Sequence, residues 1–312
     1  MKAAVIEKYG GPEVFKIKKV PNPVLKAGEV LIRNRASSVN PIDIHVREGR
    51  TRIVTGLFGE HIIGSDFSGT VLASKSEKYK EGDEVFGFLN AALGGAYAEQ
   101  LIATETNLCH KPNNISFSEA ASLPLVSCTA WQGMVYEGKL QNNQRVLVLG
   151  CTGGVGTVAV QIAKSFECKV FGTCSKAHMN AAKELGCDGV WAYDEEEVPK
   201  DVNFDLIFDA SGKHTISDYM EQLDENAMFV STKGGAESFA GAAKAIKDVS
   251  FHKQMKMIVV MPDADDLQKI KQTVDDKWLK PYVAETFPLE KISEAHAKAA
   301  EGGFVGKIVV EI

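Results

Sequence analysis

The sequence contains no run of about 18 apolar residues, which is the length that a membrane-spanning helix requires. Its first residues, MKAAVIEKYGG, also lack the apolar core of about 7–15 residues that defines a secretory signal peptide. Positive charge is not in excess, since the sequence has 35 Lys and Arg against 41 Asp and Glu, which gives a formal net charge of −6. These features argue against a membrane protein, a secreted protein and a nucleic-acid-binding protein. We therefore expect a cytoplasmic location, with neither membrane nor nucleic acid as a partner.

Cysteine is scarce, and the six cysteines include no C-x-x-C pair. Disulfide frameworks and structural zinc sites both need closer or more regular spacing than this. The scatter instead predicts reduced thiols packed inside a cytosolic protein. The six residues are Cys109, Cys128, Cys151, Cys168, Cys174 and Cys187.

Two kinds of pattern divide the 312 residues, a length that suggests two domains at about 100–200 residues each. The first hundred residues contain short, partly alternating runs separated by turn signals, which predict a small antiparallel barrel. The runs are AAVIE, VFKIKKV, EVLIRNRASSV, SDFSGTVLAS, DEVFGFL and AYAEQLIA. A capping box from Ser116 to Glu119 then starts a helix. Beyond it, apolar strands alternate with helices, including one over HTISDYMEQL, which predicts a parallel sheet with helices on both faces.

A cluster of glycines lies where the buried strand RVLVLG passes into the helix GTVAVQIAKSF. Gly150, Gly153, Gly154 and Gly156 stand in the context that dinucleotide-binding turns require, between a strand and a helix in a βαβ unit. Such glycines permit a tight turn, let the backbone approach a pyrophosphate and let the helix pack against the strand. The helix N-terminus then offers N–H groups to the phosphates. The alternative is a tight strand–helix turn without a ligand.

The end of the next strand bears on the choice of dinucleotide. NAD sites usually carry an acid about 20 residues beyond the glycines, where it binds the ribose hydroxyls. Here no acid stands between Val170 and His178, and Ser175 and Lys176 follow the strand. Because Ser donates a hydrogen bond and Lys supplies a positive charge, this pattern favours the 2′-phosphate of NADP in a site without carboxylates. The alternative for Lys176 is a solvated lysine in the first turn of a helix.

Six ordered segments, together with the glycine turn, carry a family resemblance: ASSVNPIDIHVREG (36–49), GSDFSGTV (64–71), GDEVFGF (82–88), GGAYAEQ (94–100), AASLPLVSCTAWQ (120–132) and GKIVVEI (306–312). On these segments the chain resembles the quinone oxidoreductase, or zeta-crystallin-like, branch of the zinc-independent medium-chain dehydrogenases/reductases. The resemblance implies an α/β protein with a GroES-like β-barrel catalytic domain (1–118 and 280–312) and a Rossmann domain with a doubly wound parallel sheet (119–279). It also implies NADPH, a homodimer, and reduction of quinones or α,β-unsaturated carbonyl compounds in the cleft between the domains.

The same resemblance assigns residues to the cofactor. The residues expected at the pyrophosphate are Gly153, Gly154 and Val155. The residues expected around the 2′-phosphate are Ser175, Lys176 and Tyr193. The residues expected at the nicotinamide end are Asn40, Thr129, Ser211, Thr232, Gly234 and, as a further candidate, Lys307.

Two positions depart from the patterns of relatives. His45 stands where many members carry a tyrosine near the substrate, so it is a candidate proton donor. The alternative is a histidine on the barrel surface. Ser37 and Ser38 precede Asn40 where zinc-dependent alcohol dehydrogenases have a catalytic cysteine, and Glu60-His61 has no thiolate nearby. We therefore predict that no metal is bound.

The apolar strand MKMIVVMP (255–262) comes last in the predicted parallel sheet. Pairing with a second copy would cover this edge, which supports a homodimer. Two other functions remain open: a thioester enoyl reductase within the same fold, and an NADPH-binding regulatory or structural protein without turnover.

Overall fold

The computed structural model describes residues 1–52, 60–90, 94–233 and 252–312. Strands dominate the first part of the described chain: β1 Lys2–Ile6, β2 Phe15–Lys19, β3 Glu29–Ser38, β4 His61–Ile62, β5 Asp66–Ser74, β6 Glu84–Phe88, β7 Gln100–Thr104 and β8 Leu108–His110. Each of the six predicted runs in this part overlaps a strand. The two short strands β4 and β8 were not predicted, because two or three residues are too few to show alternation.

β3 organises the first part of the fold. It pairs antiparallel with β5, β7 and the C-terminal strand β16 (Lys307–Glu311). β16 in turn pairs parallel with β15 (Val283–Pro288). The last residues of the chain therefore join a sheet begun near the N-terminus, and the domain boundaries 1–118 with 280–312 stay a prediction. In the described residues the main path of this sheet runs β15-β16-β3-β5-β6-β8, and β1, β2 and β4 form a separate three-stranded sheet.

The second sheet is parallel throughout and comprises β9 Arg145–Leu149, β10 Lys169–Cys174, β11 Gly189–Ala192, β12 Phe204–Asp209, β13 Leu223–Ser231 and β14 Met255–Met257. Its order in the described residues is β11-β10-β9-β12-β13-β14. This is the strand order of a dinucleotide-binding sheet, in which ligands bind outside the carboxyl ends where the order reverses. Here the reversal lies between β9 and β12, which confirms the predicted Rossmann architecture.

The helices of the described residues are α1 Pro41–Arg47, α2 Phe117–Ala121, α3 Pro124–Trp131, α4 Gly154–Ser165, α5 Met179–Glu184, α6 Ala264–Asp275 and α7 Ile292–Glu301. A π-helical segment, Gln132–Glu137, extends α3. The predicted capping box is present, with the Glu119 N–H donating to Ser116 Oγ at 3.2 Å. None of the described helices has the length and apolar character needed to cross a bilayer.

Three predicted elements differ from the structure. The helix begun at Ser116 breaks between α2 and α3, because Pro124 occupies the first position of a new helix. The predicted helix HTISDYMEQL is instead two 3₁₀ turns, Ile216–Asp218 and Met220–Gln222, separated by Tyr219 at φ −132°. The strand predicted over 255–262 is shorter in the structure, where β14 ends at Met257, level with the end of its partner β13 at Ser231.

Candidate active site

A cavity of about 700 Å³ lies where the carboxyl edge of the parallel sheet meets residues of the first sheet. The glycine turn after β9 forms its centre. Because β10 and β12 flank β9, the loops that follow them lie on opposite sides of this turn. The main lining residues are Val39, Asn40, Ile44, Gly150, Gly153, Gly154, Val155, Ser175, His178, Tyr193, Ser211, Lys213, His214 and Lys307.

The glycine turn has the local geometry that the sequence predicts. Gly150 adopts φ +78°, a conformation that favours glycine. A Cβ at Gly156 would lie 2.1 Å from the carbonyl oxygen of Gly150, so helix and turn pack too closely for any side chain. A Cβ at Gly153 would meet only the carbonyl oxygen of Gly150, at 3.5 Å, so the cavity side of the turn is open. The first N–H groups of α4 have no acceptor within the helix, so they can bind an anion.

Lys307 lies directly over the glycine turn. Gly306 forms a β-bridge with Gly153, and its N–H donates to the carbonyl of Thr152 at 3.0 Å. A Cβ on Gly154 would lie 2.7 Å from Lys307 Cδ. These contacts bring the start of β16 against the dinucleotide turn, so the two sheets share one wall of the cavity.

Asn40 lines the cavity with its side-chain amide held on both sides. The Nδ2 group donates to Asp66 Oδ2 at 2.8 Å and to Asp43 Oδ2 at 3.2 Å, and Oδ1 accepts from Lys307 Nζ at 2.6 Å. Asn40 also caps α1, closing a capping box in which its backbone N–H donates to Asp43. Asp43 therefore stabilises the first turn of α1 from its third position.

Asp43, Asp66 and Lys307 form a buried charge cluster behind Asn40. Burial raises the pKa of Asp43 to about 6 and raises that of Asp66, although hydrogen bonds and Lys307 oppose both shifts. Burial lowers the pKa of Lys307, against the attraction of the two carboxylates. Lys307 Nζ donates to the carbonyl of Val39 at 2.7 Å and lies 3.9 Å from Asp66 Oδ2. The ammonium group is therefore solvated by protein oxygens in place of water.

A second row of buried groups continues from this cluster into the first sheet. The Tyr97 hydroxyl lies 3.4 Å from Asp43 Oδ2 and 3.1 Å from His296 Nε2. His296 Nδ1 lies 3.3 Å from Arg47 Nη1. Burial and the Arg47 charge lower the pKa of His296 to about 3, so this imidazole is neutral in the folded protein. Arg47 also forms an ion pair with Glu48, with Nη2 3.0 Å from Glu48 Oε1.

Of the three residues predicted to surround the 2′-phosphate, two are among the described residues that line the cavity and one is not. Ser175 and Tyr193 line the cavity, and His178, which the sequence analysis did not single out, joins them. Lys176 is not among the described lining residues, since its side chain is 66% exposed and forms an ion pair with Glu195. No Asp or Glu is among the described residues that line the cavity, but Asp194 and Glu195, on the loop after β11, contact Lys176 beside it.

A buried carboxylate shapes the loops on the other side of the glycine turn. Asp209 accepts hydrogen bonds from the Ser211 hydroxyl at 2.7 Å, the Ser231 hydroxyl at 2.8 Å and the His214 N–H at 3.0 Å. Thr232 Oγ1 donates to the Asp209 carbonyl at 3.1 Å. Ser211 and His214 line the cavity, whereas Thr232 is not among its described lining residues, and Gly234 lies outside the described residues.

Two other predicted residues are placed near the cavity without lining it in the described part of the chain. The Thr129 hydroxyl donates to the carbonyl of Leu125 at 2.7 Å, within its own helix. His45 lies on α1, half-buried, close in sequence to Asn40 and Ile44, which do line the cavity. The roles given to both residues stay predictions.

All six cysteines are free and buried, as the sequence predicts. Among residues 1–52, 60–90, 94–233 and 252–312, no three His, Cys, Asp or Glu side chains are grouped so that they could hold a metal ion. Glu60 is instead paired with Lys18.

A nicotinamide dinucleotide fits the residues present. The open backbone at Gly153 and the unpaired N–H groups of α4 suit a pyrophosphate. Polar groups on the β10 side suit an adenosine ribose, and Asn40 and Lys307 line the wall contributed by the first sheet.

Fold and site together are those of an oxidoreductase with a GroES-like domain and a Rossmann-like parallel sheet, and the cavity suits a nicotinamide dinucleotide. Residues 26–113 match the family described as alcohol dehydrogenase GroES-like domain, and residues 185–310 match the family described as zinc-binding dehydrogenase. The chain is 31% identical over 353 residues to the zebrafish (Danio rerio) protein named NAD(P)H oxidoreductase RTN4IP1, mitochondrial, covering 100% of this chain and 91% of that one.

Two solved structures share the fold along the whole chain. The quinone oxidoreductase from Coxiella burnetii superposes with a TM-score of 0.87 at 26% identity, covering 100% of this chain and 99% of that one. A protein described as an NAD-dependent alcohol dehydrogenase superposes with a TM-score of 0.86 at 29% identity, with full coverage of both chains. The chain belongs to the quinone oxidoreductase branch of the medium-chain dehydrogenase/reductase superfamily.

Proposed function

We propose that this protein is an NADPH-dependent, zinc-independent reductase of quinones or α,β-unsaturated carbonyl compounds. One observation carries the proposal: the glycine turn, which suits a pyrophosphate, lines the same cavity as Asn40 and Lys307. These two polar side chains are fixed by a hydrogen bond to each other. The names of the similar proteins, which include a quinone oxidoreductase and an NAD(P)H oxidoreductase, support the substrate and cofactor classes.

The chain's own residues would bind and orient the reactants. A nicotinamide ring, when bound, supplies the hydride that reduces an electron-poor double bond or a quinone. The α4 N-terminus would hold the pyrophosphate, and Asn40, fixed by three hydrogen bonds, would present a rigid wall to the nicotinamide end. Positioning of this kind lowers a barrier by up to about 7–11 kcal/mol in ideal cases.

Reduction of a carbonyl-conjugated bond places negative charge on the substrate oxygen, and a nearby donor would stabilise it. Lys307 is the positive group at the first-sheet wall of the cavity, and two of its donor directions are already used by Val39 and Asn40. His45 remains our candidate for the group that delivers the proton. A His45→Gln variant tests this through the pH profile of kcat, which should lose its near-neutral limb.

Steady-state oxidation of NADPH with 1,2-naphthoquinone, a 2-alkenal and a crotonyl thioester tests the proposal. We expect turnover with the first two substrates, and more efficient turnover with NADPH than with NADH. Turnover with the thioester alone would indicate an enoyl reductase. Tight NADPH binding without turnover on any substrate would favour a silent regulatory or structural protein. Activity lost on chelation and restored by zinc would contradict zinc independence.

We also propose a homodimer formed through the edge of the parallel sheet. β14 is the edge strand in the described residues, and it is followed by Val259 and Met261, which are 73% and 56% exposed. Pairing across a two-fold axis would cover this edge. Sedimentation of the wild-type protein and of a Val259→Glu variant tests it, with dissociation expected only in the variant.

We propose a cytoplasmic location, supported by six buried free thiols, which suit a reducing compartment. The zebrafish relative is named as mitochondrial, so cell fractionation decides between the two compartments.

A further inference from the structure

Lys176, the lysine predicted to bind a 2′-phosphate, is held by acids from the neighbouring loop. Its Nζ lies 2.5 Å from Glu195 Oε1, and its backbone N–H donates to Asp194 Oδ1 at 2.9 Å. β10 and β11 are parallel neighbours, so the loops that carry Lys176 and Glu195 leave the sheet at the same edge. The Tyr193 N–H donates to the carbonyl of Cys174 at 3.0 Å, which fixes the second loop against the first.

The pair lies beside the part of the cavity suited to an adenosine ribose. Ser175, His178 and Tyr193, the neighbours of these residues in sequence, all line the cavity, whereas Lys176 is not among its described lining residues. The Lys176 ammonium group therefore belongs to a loop that lines the ribose subsite, and it is neutralised by a carboxylate.

We propose that Glu195 is a specificity-determining residue that lowers the preference of this protein for NADPH over NADH. Glu195 binds the Lys176 ammonium group, which a 2′-phosphate would otherwise bind, and the negative charge of Glu195 repels that phosphate. NADH carries no phosphate at this position, and a nearby carboxylate can accept a hydrogen bond from its ribose hydroxyl. The inference rests on the proposed function only in requiring that the cavity bind a nicotinamide dinucleotide.

The pair regulates rather than abolishes phosphate binding, because it is open to water. The Lys176 and Glu195 side chains are 66% and 48% exposed, and exposed ion pairs are weak and screened by salt. A doubly charged phosphate can therefore compete for Lys176. Removing the Glu195 charge should tighten NADPH binding by about threefold to fivefold, the upper part of the range expected for an exposed charge contact.

Glu196 provides a matched control. It is the next residue of the same loop and is exposed, and no hydrogen bond or ion pair of its side chain is seen within the described residues. Glu196→Gln removes the same charge as Glu195→Gln without touching Lys176. The difference between the two variants therefore measures the contact itself and not the net charge of the protein.

The experiment measures the Kd of NADPH and of NADH by calorimetry for the wild type, Glu195→Gln, Glu196→Gln, Lys176→Met and the Lys176→Met/Glu195→Gln double variant. We expect Glu195→Gln to tighten NADPH binding by about threefold to fivefold and to leave NADH binding unchanged or weaker. Glu196→Gln should change either value by less than about twofold, and added salt should shrink the Glu195 effect. In the Lys176→Met background, adding Glu195→Gln should tighten NADPH binding by no more than about twofold. The effect of removing Glu195 acts through Lys176, so it should largely vanish when the lysine is absent.

Three results would overturn the inference: equal effects of the Glu195 and Glu196 variants, weaker NADPH binding in Glu195→Gln, or a full gain in the double variant. Weaker binding would mean that Glu195 orients Lys176 towards the phosphate. Failure of the proposed function looks different. Dinucleotide binding without turnover would remove the proposed reaction and leave this inference standing, whereas a wild-type protein that binds neither dinucleotide would remove both.

Discussion

Replacing Lys307 by Met should destabilise the protein in a manner that depends on pH. The substitution keeps much of the apolar stem, which packs over Gly154, but removes the ammonium group. Asn40 Oδ1 and the Val39 carbonyl, both buried, then lose their donors at 2.6 and 2.7 Å. The carboxylates of Asp43 and Asp66 lose the positive charge that partly compensates them.

The size of the expected loss in unfolding free energy follows from leaving buried carboxylates without a positive partner. Breaking a buried ion pair by removing one member costs about 3–5 kcal/mol. The variant can reduce this cost by protonating a carboxylate, and burial already raises the pKa of Asp43 to about 6 and raises that of Asp66. An acid with a higher pKa in the folded state than in the unfolded state binds more protons when folded, so stability falls as pH rises between the two values. The penalty should therefore be larger at about pH 8 than at about pH 5.

Urea unfolding followed by tryptophan fluorescence, at both pH values, measures the penalty as a shift in the unfolding midpoint. Lys8→Met, at an exposed lysine, controls for the change in net charge. Lys307→Met combined with Asp66→Asn should recover part of the loss, because it removes one uncompensated carboxylate. A loss below about 1 kcal/mol, which an exposed pair would give, or an equal loss at both pH values would refute the account of the charge cluster.

Other predictions concern the glycine turn and a buried histidine. Gly156→Ala should lower the free energy of unfolding by about 1–3 kcal/mol, because its Cβ would meet the Gly150 carbonyl oxygen at 2.1 Å. Gly153→Ala should leave the unfolding midpoint nearly unchanged and weaken dinucleotide binding instead, since its Cβ enters the open cradle; equal midpoints for the two variants would contradict this. Burial lowers the pKa of His296 from 6.5 to about 3, so the unfolded chain binds a proton below pH 6.5 that the folded protein does not. His296 should therefore reduce stability as pH falls, by about 2 kcal/mol at pH 5, and His296→Gln should flatten this acid limb in unfolding curves; an unchanged limb would contradict it.

Local sequence predicts the glycine turn because its tightest backbone contacts lie within a few residues of one another. Gly150 adopts a positive φ, and a Cβ on Gly156 would meet Gly150 and Cys151, six and five positions earlier. The capping box at Ser116 and Glu119 is predictable for the same reason. Periodicity likewise predicts the strands of the parallel sheet, since each is a continuous apolar run bounded by helices.

The charges around the cavity are not predictable in this way, because their partners are distant in sequence. Lys307 and Asn40 are 267 positions apart and meet only because β16 pairs with β3. Lys176 and Glu195 are 19 positions apart on loops of different strands. A search for acids that stops at the end of β10 therefore misses the carboxylates that follow β11. A search of the residues after each neighbouring strand would have found Glu195, and also His214 after β12.

Residues that form or support the cavity wall also form the contact between the two sheets. This overlap determines how the effects of substitutions can be interpreted. Asp66 Oδ2 accepts from Asn40, while its Oδ1 accepts from the Leu125 N–H at 2.8 Å, at the start of α3. Lys307 likewise binds Asn40 and covers the glycine turn. A substitution at either residue changes folding and binding together, so a loss of activity there does not identify a catalytic group. The exposed Lys176–Glu195 pair stabilises no such contact. Changes in dinucleotide affinity at Glu195 can therefore be read directly as recognition, and this makes the adenosine side of the cavity the more informative place to begin.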